Sequence, residues 1–227
     1  MGKRERAAIG RRVEKRLRDR EEVTVFSKNG LNVYIVKNFV TPYERKFLKG
    51  SIKSKLEPSG TLGDAAPYFS DFRTSSTSTL WPRSTVMRTV DLRISELIGM
   101  EDIYSEHTQG QFYEVSQTFK PHCDFFHSHQ AHWKKARREG GQRVWTAMAY
   151  LDDDMDGGET RFVRAGFNVK PVAGMLIIWN NMTNEGMPDW LTLHEGAPVK
   201  RGEKTILTKW YRERRWNYEP GDGVVAS

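Results

Sequence analysis

The stretch VWTAMAYL at residues 144–151 decides the fold class. Thr146, Met148 and Tyr150 alternate with the residues between them, which is the period of two that a β-strand produces. Beyond Met100, further short segments also suit strands: residues 109–115, 159–163, 167–169, 175–179 and 205–211. Because turn-rich pieces separate them at short intervals, these segments predict a sandwich or barrel of the jelly-roll type.

Three helices are predicted ahead of these strands. Residues 3–22 carry a narrow apolar stripe on a highly charged cylinder. At residues 41–44, a threonine that can cap, a proline and a glutamate predict the start of a helix that runs to about residue 56. Residues 84–98 have the same amphipathic pattern and end at Gly99.

A hairpin and a long irregular stretch complete the N-terminal half. Residues 23–26 and 32–36 suit two strands around the Asn29-Gly30 turn. Residues 57–83 are rich in Ser, Thr, Gly and Pro, and we expect an extended loop or short strands that shape a substrate site. The predicted organisation is a basic N-terminal helix (1–22), one domain (23–216) and a flexible tail (217–227).

Composition and charge exclude several classes of protein. Seven Trp, eight Tyr and eleven Phe among 227 residues argue against a disordered chain. No apolar run reaches the ~18 residues that span a bilayer. A single cysteine, Cys123, excludes an internal disulfide and fits a reducing compartment, so we expect a cytoplasmic protein. Residues 1–22 hold nine of the 36 Lys and Arg, so much of the net charge of +7 belongs to the N-terminal helix.

The sequence His122-Cys123-Asp124 carries the strongest chemical signal. On a strand, residues i and i+2 project from one face, so the imidazole and the carboxylate would converge. A second candidate ligand, His194, follows much later in the chain. Two histidines and one carboxylate with open coordination positions form the facial triad of non-haem Fe(II) oxygenases. Alone the H-x-D motif is a weak signal, because a surface His and Asp give the same letters.

Lys204 supplies the context that this weak motif needs. It follows His194 by ten residues and precedes a predicted strand. A lysine there can place its charge on the distal carboxylate of a dicarboxylate co-substrate whose other end chelates iron. A solvated lysine is the ordinary alternative.

Taken together, these residues resemble the prolyl 4-hydroxylase branch of the Fe(II)- and 2-oxoglutarate-dependent dioxygenases. The resemblance covers about residues 32–212, and order and spacing agree as well as residue type. The matching residues are Arg73-Thr74-Ser75-Ser76, Glu106, Gln109, Tyr113-Glu114, Gln117, 121–126, 141–144, Thr146, Tyr150-Leu151, 157–162, 169–171, Gly174, Leu193-His194, Gly196, Pro198-Val199, Gly202-Glu203-Lys204 and Thr208-Lys209-Trp210.

The resemblance implies a double-stranded β-helix core with flanking helices, and Fe(II), 2-oxoglutarate and O₂ as reactants, with ascorbate as an optional cofactor. It implies the iron ligands His122, Asp124 and His194. It also implies co-substrate contacts from Tyr113, Thr146 and Lys204, where strand packing is the alternative for the first two. Substrate contacts are expected from Arg73, Trp210 and Arg212.

Some segments depart from the family pattern. Val115-Ser116 replaces the usual Pro-Gly, Ala197 replaces a cysteine and Thr205 replaces a tryptophan, but no ligand is lost. Two further segments do not follow the family pattern: the basic, histidine-rich residues 127–138 and the loop at 180–190. Substrate identity therefore stays open. A second metal site among the histidines of the first segment is the less favoured interpretation, compared with a helix or loop.

We therefore expect a dioxygenase that hydroxylates a peptidyl proline and acts on a protein or peptide, with no membrane partner. The alternatives are the same chemistry on another side chain, a free amino acid or a nucleobase, or a non-catalytic binding module on the same fold. The N-terminal helix would pack on the domain or on a second subunit, so a homodimer is left open. A nucleic-acid or acidic partner for that helix is the other interpretation.

Overall fold

In the computed structural model of the chain, which describes residues 1–59, 73–80 and 84–217, short strands dominate and helices flank them. The helices are α1 (Lys3–Arg18), α2 (Pro42–Lys53), α3 (Thr85–Ile98) and α4 (Trp133–Arg138). The strands are β1 (Thr24–Lys28), β2 (Leu31–Val36), β3 (Glu57–Pro58), β4 (Ser76–Leu80), β5 (Thr108–Tyr113), β6 (Phe119–His122), β7 (Arg143–Tyr150), β8 (Met155–Gly157), β9 (Thr160–Phe162), β10 (Phe167–Val169), β11 (Leu176–Asn180), β12 (His194–Gly196), β13 (Val199–Gly202) and β14 (Lys204–Arg212). Two 3₁₀ turns lie at Asp102–Tyr104 and Trp190–Thr192.

Two antiparallel sheets enclose the core. The larger sheet has the strand order β1-β2-β11-β7-β14-β5-β4-β3, and the smaller has the order β10-β9-β12-β6. Met148 and Ile206 of the larger sheet share one buried cluster with Phe162 and Phe167 of the smaller sheet. The predicted jelly-roll core with flanking helices is therefore confirmed.

Side chains along β7 alternate between the two faces of the larger sheet, and this alternation determines which of them reach the interior. Trp145, Ala147 and Ala149 belong to the apolar cluster on the outer face of the larger sheet, which the helices cover. Met148 and Tyr150 point to the other face and line the interior between the sheets. Because both faces are buried, every residue of β7 is buried, and from Thr146 onward its even-numbered side chains are those that reach the interior.

Helix α1 packs on the outer layer and braces a loop. Val13 and Leu17 are fully buried in the outer cluster. The side chain of Arg6 donates to the carbonyl oxygen of Gly186 at 2.7 Å. Gly10 lies so close to Asn180 that an added Cβ would be 2.9 Å from that amide nitrogen. The helix ends at Arg18 rather than at residue 22 as predicted; the boundary placed at residue 22 between it and the domain stays a prediction.

Local signals located most elements, with a few differences. The Asn29-Gly30 turn has positive φ at both residues, as the hairpin prediction requires. Helix α2 ends at Lys53, three residues before the predicted end. The stretch 57–83, predicted as a loop or short strands, contains β3 and β4, and its residues 60–72 and 81–83 lie outside the described residues, as do residues 218–227 of the predicted tail. Among the described residues, no helix has the length and apolar character to cross a membrane.

Candidate active site

Cross-strand pairing brings the three predicted metal ligands together. His122 ends β6 and His194 begins β12, and the two residues are direct partners in the antiparallel register. Asp124 follows in a bend after β6, so the shared-strand geometry expected for His122 and Asp124 is replaced by a turn. The ligand atoms of the three residues all lie within 4.8 Å of one another.

Backbone carbonyls fix both imidazoles in the tautomer that a metal requires. The Nδ1 atoms of His122 and His194 lie 2.8 Å from the carbonyl oxygens of Lys120 and Thr192, respectively. A carbonyl accepts only, so Nδ1 carries the proton and the lone pair of Nε2 is free. Each Nε2 faces Asp124 Oδ1, at 3.9 Å for His122 and 4.0 Å for His194. The two nitrogens and this oxygen thus point at one position and fit a divalent metal ion.

The charge state of these groups agrees with metal binding. Burial and the neighbouring His194 lower the pKa of His122 to about 3, so its imidazole is neutral at physiological pH. Burial opposes ionisation of Asp124, but His194, His122 and Arg143 together outweigh it and hold the pKa of this carboxyl below its usual range. A neutral imidazole and an ionised carboxylate are the forms that ligate metal.

Lys204 is a buried ammonium group with no counter-ion among the residues that the structure describes. Its side chain is 1% exposed, and within the described part of the chain it makes no ion pair within 4.0 Å. Its Nζ lies 5.1 Å from the centre of the Tyr113 ring. Burial lowers the pKa of Lys204 to about 8, against the attraction of Asp152 and Glu159, so the group remains protonated at neutral pH. Lys204 lines the same cavity as the three ligands, which suits a co-substrate that carries a carboxylate at its far end.

Comparison with known proteins identifies the family. Residues 108–212 match the family model of the 2OG-Fe(II) oxygenase superfamily. The chain is 32% identical over 201 residues to prolyl 4-hydroxylase 1 of Arabidopsis thaliana, which covers 80% of this chain and 69% of that protein. The chain belongs to the prolyl 4-hydroxylase family of Fe(II)- and 2-oxoglutarate-dependent oxygenases. It therefore uses Fe(II), 2-oxoglutarate and O₂, and the triad described above fits the iron.

A second relative extends the sequence comparison, and two solved structures share the fold. The chain is 30% identical to prolyl 4-hydroxylase subunit alpha-3 of Bos taurus over 80% of its length, but it spans only 34% of that longer protein. The fold is shared with the 2-oxoglutarate complex of the viral collagen prolyl hydroxylase of Paramecium bursaria Chlorella virus-1, with a TM-score of 0.62 and 24% identity over 79% of this chain and 95% of that one. It is also shared with a prolyl hydroxylase of Trichoplax adhaerens in complex with a hypoxia inducible factor peptide fragment, with a TM-score of 0.60 and 14% identity over 92% and 90% of the two chains.

The structure adds a co-substrate candidate that the sequence did not suggest. Thr160 lines the oxygenase cavity with Lys204, and its hydroxyl oxygen accepts a hydrogen bond from Tyr150 at 2.7 Å. The proton of Thr160 is therefore free to be donated to a carboxylate. Thr160 does lie in the Gly-Gly-Glu-Thr motif, but nothing in its spacing indicated this orientation.

Tyr113 and Thr146 stay predictions as co-substrate contacts. Tyr113 lines the cavity, and its hydroxyl donates to Gln111 Oε1 at 2.8 Å. Thr146 instead donates its hydroxyl proton to Asp124 Oδ2 at 2.7 Å. Because a hydroxyl has one proton, Thr146 cannot donate to a co-substrate while this bond is made.

A cleft of about 690 Å³ opens above the triad of the oxygenase. Arg73, Trp210 and Arg212, the predicted substrate contacts, all line it. Arg143, which the prediction omitted, binds Glu106 through two hydrogen bonds of 2.6 and 2.7 Å and lies 4.0 Å over the Trp210 ring. Arg143 also lines the cleft, beside these three residues.

At the mouth of the cleft, the histidine-rich segment (127–138) contacts the loop at 180–190, the two segments that depart from the family pattern. The ring of Trp190, which is 45% exposed, lies 5.1 Å from that of His127, and the guanidinium of Arg164 lies 4.9 Å over it. Residues 133–138 of the histidine-rich segment form α4. Among the described residues, His122, Asp124 and His194 are the sole group of three potential metal ligands, so nothing supports a second metal site among His127 and its neighbours.

Proposed function

We propose that this oxygenase hydroxylates a prolyl residue of a peptide or protein. The observation that carries the proposal is that the co-substrate cavity and the open cleft adjoin at the metal ligands. His122, Asp124, Phe119 and Trp210 line both spaces. A segment of chain that lies in the cleft would therefore present a C–H bond to the metal position, while 2-oxoglutarate occupies the deeper cavity.

The bound iron, with 2-oxoglutarate and O₂, supplies the oxidation: the keto acid loses CO₂ and becomes succinate, and the substrate C–H becomes C–OH. The protein's own residues bind and orient. The Lys204 ammonium would hold the distal carboxylate, and His122, Asp124 and His194 would hold the iron, a ligand set that leaves room for co-substrate and O₂. Trp179, which is fully buried and lies 5.1 Å edge-on from His194, excludes water from the back of the site.

Aromatic side chains make the cleft suitable for proline. It is lined by the guanidinium groups of several arginines and by four aromatic side chains: Phe125, Phe126, Trp190 and Trp210. Proline-rich segments form an extended helix with little conformational entropy to lose, and they dock in aromatic-lined grooves. The names of the relatives, prolyl 4-hydroxylases from a plant and an animal, support the same substrate class.

The same chemistry on another peptidyl side chain is the second candidate. The contact between Trp190 and His127 favours it, because both residues line the cleft and each belongs to one of the two segments that depart from the family pattern. A nucleobase substrate is less favoured. Arg143 and Arg212 of the cleft wall are both paired with Glu106, at 2.6 and 3.1 Å, so their charge is not free for a phosphate backbone.

We also propose that the protein acts in the cytoplasm, which its single cysteine supports. Burial raises the pKa of the Cys123 thiol to about 12, so the thiol stays protonated and unreactive near the iron site. Fluorescence microscopy of the tagged protein in its own cell tests the compartment.

A peptide assay tests the proposed substrate. Proline-rich peptides and matched peptides with alanine in place of each proline are incubated with the enzyme, Fe(II), 2-oxoglutarate and O₂. Mass spectrometry then seeks the addition of one oxygen atom, and hydrolysis identifies the hydroxyproline isomer. The proposal predicts oxygen on proline in the first set alone, dependent on His194. Succinate formation with oxygen on another residue would instead support the second candidate.

A further inference from the structure

A buried chain of hydrogen bonds ends on the carboxylate ligand. The amide nitrogen of Asn181 donates to Thr146 Oγ1 at 2.9 Å. Thr146 donates in turn to Asp124 Oδ2 at 2.7 Å. Asn181 and Thr146 are both 0% exposed, so neither water nor surface motion competes with these bonds.

The direction of the donors fixes the geometry of Asp124. Its Oδ2 atom is occupied by the Thr146 proton, whereas Oδ1 faces the Nε2 atoms of His122 and His194. Asn181 fills a lone pair of the threonine oxygen, which leaves the threonine proton to point at the carboxylate. Oδ2 of Asp124 therefore accepts a hydrogen bond from the protein, and Oδ1 is the oxygen available to a metal ion.

Asn181 is held for this task at a cost to the fold. Its backbone N–H donates to Val144 on β7 at 2.8 Å, and its carbonyl accepts from Asp189 at 3.0 Å. The amide oxygen Oδ1 is buried and has no hydrogen-bond partner among the described residues. A buried unpaired acceptor is destabilising, so an apolar side chain would suit packing better than this amide.

We propose that Thr146 and Asn181 are positioning residues that restrict Asp124 to coordination through one oxygen. A carboxylate free to bind through both oxygens would occupy one more position on the metal. With one oxygen withheld, the three ligands would leave room on the bound metal for a chelating 2-oxoglutarate and for O₂. This role is independent of whether proline is the substrate.

Metal binding without turnover tests the proposal on the full chain. The dissociation constant for Mn(II) and for Fe(II) is measured anaerobically, followed by that for 2-oxoglutarate and the charge-transfer absorption of the ternary complex. Removing the Thr146 hydroxyl with Thr146→Val should weaken metal binding about tenfold or more, as loss of an outer hydrogen bond to a ligand does. Thr146→Ser keeps the hydroxyl and should stay within about threefold of the wild type. Thr205→Val is the matched control, since Thr205 is also fully buried and its hydroxyl has no partner among the described residues.

The double variant tests whether Asn181 acts on Asp124 through Thr146 or whether the two residues affect metal binding independently. Asn181→Ala should weaken metal binding about threefold, because it acts only through Thr146. Adding Asn181→Ala to Thr146→Val should then change the dissociation constant by less than about twofold. In Thr146→Val the charge-transfer band should shift, and 2-oxoglutarate should bind more weakly at saturating metal.

Three results would overturn the proposal: Thr146→Val that binds metal as the Thr205→Val control does, fully additive effects in the double variant, or an unshifted band. If Thr146→Val does not fold, Asn181→Ala decides alone, and an unchanged metal dissociation constant and band refute the proposal. A failure of prolyl hydroxylation with intact metal binding in wild type would count against the proposed substrate and leave this inference standing.

Discussion

Replacement of Lys204 by methionine should make the protein more stable and unable to bind its co-substrate. The ammonium is buried and has no ion pair among the described residues, and burial lowers its pKa from 10.5 to about 8, a shift that corresponds to about 3 kcal/mol of destabilisation at neutral pH. This net shift already includes the attraction of Asp152 and Glu159, and the imperfect fit of a methionine in the lysine site offsets about 1 kcal/mol of it. We therefore expect Lys204→Met to raise the free energy of unfolding by about 2 kcal/mol and Tm by about 6 °C.

A second buried lysine on the same strand is the contrast. Lys209 is 2% exposed but lies 3.0 Å from Asp91 and 2.7 Å from Asp102. Lys209→Met leaves both carboxylates without their partner and should destabilise the protein by about 3 to 5 kcal/mol. Lys200 is exposed and supplies the control, since Lys200→Met should change neither the free energy of unfolding nor 2-oxoglutarate binding.

Urea unfolding of the metal-free proteins measures the stability, and anaerobic titration of the Fe(II) forms measures 2-oxoglutarate binding. Lys204→Met should weaken 2-oxoglutarate binding about 100-fold or more, because the distal carboxylate loses its only buried cation within the described cavity. Its stability advantage should be full below pH 8 and should shrink as the pH rises from 8 through 10.5, because well above 10.5 the lysine is neutral in both states. A variant that is less stable than wild type, or that binds 2-oxoglutarate normally, would refute the reasoning.

Three further predictions follow from the same geometry. In the wild type, the dissociation constant for 2-oxoglutarate should be flat between about pH 6.5 and 7.5 and should rise as the free protein loses the Lys204 proton above about pH 8; a flat anaerobic titration curve up to pH 9 would contradict this. Trp190→Ala should raise the KM for a peptide substrate about tenfold and leave the 2-oxoglutarate dissociation constant unchanged, as steady-state kinetics and binding can show. Gly10→Leu should lower the free energy of unfolding by about 1 to 3 kcal/mol, because its side chain would meet Asn180; urea curves that match wild type would contradict the close packing of α1.

Local chemistry made several elements predictable. The Asn29-Gly30 turn, the capping box at Thr41 and Glu44, and the left-handed Gly99 at the end of α3 each depend on residues a few positions apart. The alternation along β7 predicted a strand because side chains point to opposite faces. By contrast, β6, β12 and β13 are three or four residues long, and the first contains Pro121, so no local pattern identified them.

The candidate site was predictable in its residue types but not in its hydrogen bonds. His122, Asp124, His194 and Lys204 were located by their order and spacing, and the structure places all four around one cavity. Whether a threonine faces the co-substrate or a metal ligand depends on strand pairing between residues far apart in the chain. This is why the sequence indicated Thr146 but neither Thr160 nor Asn181.

Anaerobic titration with Fe(II) and 2-oxoglutarate tests most directly whether three distant ligands and one ammonium group form a single site. We predict that the wild-type protein binds a single Fe(II) per chain and develops a weak visible charge-transfer band when 2-oxoglutarate is added. The same titration of His194→Ala should give no band, while the fold, followed by circular dichroism, is retained. A wild-type protein without the band, or a variant that keeps it, would contradict the assignment of His194 to the metal site.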